Sequence, residues 1–170
     1  MASKADFTPE EWSKVLFAPL NTSLMVALAS PSGPIGMIQE LYAAVSSVVE
    51  VEKDASAGEI LRAVAADIKA RQEKPELPRF SSVEEGKAHV AGLVREAVAL
   101  LDAKAPDEAP AFKQWLYTVA QKAAGAAREG GFFGFGGTVV SEQEQAALSE
   151  LAGLLGVAPG AVSAPPDTTA

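Results

Sequence analysis

Four times in this chain a hydroxyl residue precedes a glutamate by three positions at the head of an apolar run: Thr8 with Glu11, Ser56 with Glu59, Ser82 with Glu85 and Ser141 with Glu144. In that arrangement the hydroxyl oxygen accepts from the N–H of the third helical residue. The glutamate reaches back to the N–H of the cap, so two groups with no partner inside the helix are satisfied together. Pro9 strengthens the first start, because its fixed φ suits the first helical position. Such starts commit the chain to helices wherever the apolar spacing behind them agrees.

The spacing does agree. The first helix is expected from Pro9 to about Phe17, with Pro19 kinking it or opening a second helix that reaches about Ala29. Pro31, Gly33 and Pro34 end that stretch, and Pro34 is placed to open another. Behind it, Ile35, Ile38, Leu41, Tyr42, Val45, Val48 and Val49 recur at three and four, which gives one buried stripe. From Ser56 a further helix buries Ile60, Leu61, Val64 and Ile68, and the prolines of segment 74–80 make a semi-extended connector. Ser82 to Lys104 reads as a long helix. Asp107 is placed to cap the next, which runs through Phe112, Trp115, Leu116, Val119 and Ala123 to Arg128. The last helix spans Glu142 to Leu155 and stops at Gly156.

Aromatic residues are only 6% of a chain that is 48% hydrophobic, so much of the apolar content is alanine, which favours closely packed helices over a sandwich of sheets. The expected fold is all-α. It is a single compact bundle of six or seven helices with mixed crossing angles over residues 1–156, followed by a disordered tail rich in alanine, proline and threonine over residues 157–170.

Charge and composition exclude several functions. With 22 acidic residues against 14 basic ones the formal charge is −8, which repels phosphate backbones, so no nucleic-acid partner is expected. Lys69, Arg71 and Lys74 are interrupted by Glu73 and opposed by Asp67, and read as a solvated helix end. The chain has no cysteine, so disulfides, thiolate nucleophiles and cysteine-ligated metals are excluded. The apolar stretch 15–29 is broken by Pro19, Asn21, Thr22 and Ser23 and is too short to span a bilayer. No secretory leader is visible at Met1, and a cytoplasmic location is expected.

Candidate sites are few. His89, the one histidine, falls four residues after Glu85 on the same helical face and reads as a surface residue paired with it. No acidic loop has the alternate spacing of a calcium site, and Glu10, Glu11, Glu84, Glu85, Glu142 and Glu144 all lie in first turns, where the helix dipole accounts for them. No metal or other cofactor and no catalytic residue is therefore expected. Trp12 and Trp115 fit apolar stripes and read as core.

The unusual segment is 130–137, GGFFGFGG, which holds five of the 14 glycines and three of the seven phenylalanines. It lacks the lysine and the preceding strand of a phosphate loop. Phe132, Phe133 and Phe135, set among Gly134, Gly136 and Gly137, form the candidate binding loop. It reads either as an aromatic anchor or lid, or as a tight turn whose rings plug the core.

Residues 16–45 and 117–155 share an outline of apolar helix, small-residue break and second apolar helix. In the second unit Val140, Ser141, Glu144, Leu151, Ala152, Leu155 and Gly156 resemble the pattern of TerB-like tellurite-resistance helical domains over residues 117–156. That resemblance implies a helical fold and an association with stress responses. It also implies metal binding through acidic turns, but here segments 130–137 and 31–33 stand where those turns would be, which removes the ligand set. The expected function is a non-enzymatic interaction domain that binds a protein partner or itself. The alternative is a small apolar-ligand binder with a pocket gated by the Phe/Gly loop.

Overall fold

The first helix begins where Thr8 and Glu11 dictate. In the computed structural model, which describes residues 2–29, 51, 57–70, 80–129 and 141–159, Thr8 Oγ1 accepts from Glu11 N at 3.2 Å and the Glu11 carboxylate accepts from Thr8 N at 2.8 Å. A short 3-10 turn, Lys4–Asp6, precedes it. Six α-helices follow among the described residues: α1 (Pro9–Leu16), α2 (Ala18–Ala27), α3 (Glu59–Ala70), α4 (Val83–Lys104), α5 (Ala109–Glu129) and α6 (Glu142–Leu155). No strand occurs among the described residues, and the fold is all-α. The expected helix over 35–49, segment 74–79 of the connector, the Phe/Gly segment and the tail from residue 160 lie outside the described residues; Val51 is helical and buried.

Pro19 opens α2 rather than bending α1. It occupies the first turn of the new helix, and Phe17 is the junction residue of both helices. Nine of the ten residues of α2 are buried, from Ala18 and Pro19 through Leu24, Met25, Val26 and Ala27. A helix buried on every side must be apolar all round, yet this one carries Asn21, Thr22 and Ser23. The two hydroxyls are accommodated internally: Thr22 Oγ1 donates to Pro19 O at 3.0 Å and Ser23 Oγ donates to the same carbonyl at 2.9 Å.

Side-chain contacts fix the direction of the chain. Glu11 meets Lys104, Lys14 meets Glu96 at 2.7 Å, and Leu28, just past α2, lies beside Gly86. Chain order therefore rises along α1 and α2 as it falls along α4, which makes α4 an antiparallel rail for both. A turn over residues 105–108 sends α5 back along α4, with Lys113 paired to Asp102. Helix α2 packs on α4, α5 and α6, and α3 sits against α1.

Beyond the Thr8 start, helix ends follow the sequence in three further cases and depart from it in one. Ser82 Oγ accepts from Glu85 N, Ser141 and Glu144 form a full capping box, and Gly156 ends α6 in the left-handed conformation at φ 67°. There Gly156 N donates to Gly153 O and Val157 N to Ala152 O, which pairs the last carbonyls. Val157, assigned by composition to the tail, packs against the core.

The expected cap at Ser56 lies outside the described residues; the departure is at α5, where Glu108 and not Asp107 is the residue before the helix. Helix α3 starts at Glu59, with Gly58 O accepting from Arg62 N. Its Ile60 N–H donates to the carboxylate of Glu108, at 2.9 Å. Glu108 is itself the residue before α5, and its carbonyl accepts from Phe112 N. An anionic acceptor held at the positive end of a helix is stabilising there. Gly58 makes room for it, since a Cβ there would fall 2.2 Å from Glu108 Oε2.

Replacing Glu108 with alanine is expected to remove about 1 kcal/mol, in the range of a lost N-cap, which a thermal melt reads as about 2–4 °C for a chain of this size. Gly58→Ala displaces the same carboxylate, so the double variant should lose clearly less than the sum of the singles. Strictly additive losses would show that this carboxylate does not cap α3.

Candidate functional site

The candidate loop residues Phe132, Phe133, Gly134, Phe135, Gly136 and Gly137 lie outside the described residues, but the helices on either side are described. Helix α5 ends at Glu129 and α6 opens at Glu142. The two pack on each other and on α2, so the chain leaves for the segment from one core helix and returns to another. The point of return is closed by the capping box. Glu144 Oε2 accepts from Ser141 N at 2.9 Å and from Ser141 Oγ at 2.8 Å, while Glu144 N donates to Ser141 Oγ at 3.2 Å. Glu144 is only 3% exposed, and these donors offset the desolvation of its carboxylate.

His89 is on the surface, as expected, but its expected pairing with Glu85 is corrected. The Glu85 carboxylate accepts from Ser81 N at 3.0 Å, and the His89 ring instead lies 5.7 Å from the ring of Phe80, tilted by 53°. A carboxylate in the first turn has an unpaired backbone N–H within reach, and that competes well against an exposed side-chain pair. Gly86 leaves room for Phe80 here: a Cβ there would come within 2.8 Å of its ring.

Both tryptophans are structural. Trp12 is 5% exposed and donates its indole N–H to Asp67 Oδ2 at 2.8 Å. Trp115 is half-buried and meets Phe112 edge-on, with centroids 5.4 Å apart. Tyr117 is 2% exposed, and burial pushes its phenol above the ordinary value of 10.0. It therefore stays protonated and serves as a core ring.

Two polar clusters that local spacing does not reveal tie the N-terminal segment down. In the first, Lys4 Nζ lies 2.6 Å from Asp67 Oδ2 and 5.5 Å over the Trp12 ring, which in turn packs on Phe7. In the second, Lys104 Nζ donates to Glu11 Oε2 at 2.5 Å and to Asp6 O at 3.0 Å, and stands 5.6 Å over the ring of Phe7. A cation shared between carboxylate, carbonyl and aromatic face is better placed than an isolated surface ion pair. The side chain of Lys104 and the backbone N–H of Thr8 together hold the Glu11 carboxyl below its ordinary 4.5. The Asp6 carboxyl is held below 3.8, chiefly by the backbone N–H and hydroxyl of Ser3.

Neither cluster gathers a ligand set, and no group of three or more His, Asp or Glu side chains suited to a metal ion occurs among the described residues. No helix among them is long and apolar enough to cross a membrane. The partners in these clusters are separated by 55, 63 and 93 positions in sequence, so no local motif announces them. Comparison with protein-family models, characterised proteins and solved structures finds no match to this chain.

Trp12→Phe keeps an aromatic ring in place and removes the donor to Asp67. It should cost about 1.5–3 kcal/mol, the worth of a hydrogen bond to a charged group; urea denaturation showing a loss under about 0.5 kcal/mol would mean that the bond contributes nothing. A second expectation concerns acid. Glu11 is held below 4.5 in the folded protein, so its contribution is complete above that value and is lost as pH falls through the lower native one. Lys104→Met should therefore flatten the acid limb of the curve of urea midpoint against pH. An unchanged limb would show that Lys104 is not the cause.

Proposed function

We propose that this chain is a non-enzymatic helical interaction domain that binds a protein partner, or a second copy of itself, through Phe132, Phe133 and Phe135. The observation that carries the reading is the engagement of the polar groups that chemistry would need. Glu11, Asp67, Glu85, Lys104, Glu108 and Glu144 are each committed to a cap or a clasp. Among the described residues the large apolar side chains point inward, with Val83 the one exposed.

Against that background the GGFFGFGG run is the segment whose composition best suits binding. Glycine lets a backbone approach closely, and aromatic rings supply most of the energy at typical interfaces. The TerB-like resemblance over residues 117–156 adds a stress-linked pathway to the proposal, and its metal chemistry is left out with the missing acidic turns. A cytoplasmic site of action is part of the same reading.

The test compares the wild type with a triple variant, Phe132→Ala, Phe133→Ala and Phe135→Ala. Crosslinking in cells and analytical ultracentrifugation of the purified chain read partner capture and self-association. Loss of three interface rings should weaken whichever association is found by at least about tenfold, the effect of 1.4 kcal/mol, with the melting temperature held within about 2 °C. Equal association by both proteins sinks the proposal. So does a fall in melting temperature of about 10 °C, on the scale of several kcal/mol, because the rings would then be core. A rise in wild-type melting temperature with aliphatic ligands, absent in the variant, would put a ligand in the partner's place.

A further inference from the structure

We draw no further inference here: the strongest candidate, the buried side-chain amide of Asn21 on the central helix α2, which makes no hydrogen bond among the described residues, carries nothing because nothing in the structure shows what it faces.

Discussion

Helix α2 has no face turned to water, and the arrangement of the other helices follows from that. A ten-residue helix with nine buried positions must be covered from several sides, and α1, α4, α5 and α6 supply the cover. Hydrophobic burial is the dominant favourable term in folding, so this short segment sets the geometry that longer helices fulfil. Helix α4 is long enough, at 22 residues, to run antiparallel to both α1 and α2. The composition of α2 fits its position: it has no charged residue, and the hydroxyls of Thr22 and Ser23 turn back onto Pro19 O and so do not demand partners from neighbouring helices.

What could be read from sequence is what the backbone decides locally. The boxes at Thr8 and Ser141, the cap at Ser82 and the left-handed stop at Gly156 each involve residues within a few positions of one another, and their chemistry admits little else. The buried stripes of α4 (Val90, Val94, Ala97, Leu101) and α6 (Leu148, Leu151, Ala152, Leu155) likewise follow from a period of 3.6 residues. The part of Glu108 at the start of α3 was not legible for the same reason in reverse. Glu108 arrives from 48 positions away and accepts from Ile60 N–H beside Gly58. Sequence spacing has no means of announcing a carboxylate that only tertiary folding brings in.

The same divide runs through the candidate site. Its composition is plain in the sequence, because five glycines and three phenylalanines in eight residues are conspicuous wherever they occur. The roles of Asp67 and Lys104 were hidden, since each gains its meaning only from side chains brought in by folding: Trp12 and Lys4 for the first, Glu11 and Phe7 for the second. His89 shows how a correct surface assignment can carry a wrong partner. The i,i+4 rule placed it beside Glu85, but Glu85 also had a backbone N–H to satisfy.

The tertiary cap on α3 has a consequence for the order in which a growing chain can mature. A twelve-residue helix is marginal in isolation, and this one lacks its anionic cap until Glu108 has left the ribosome. All of α4 is synthesised in that interval. Helix α3 therefore emerges early and is completed late, and α5 begins in the same step, because Glu108 is also the residue from which α5 departs.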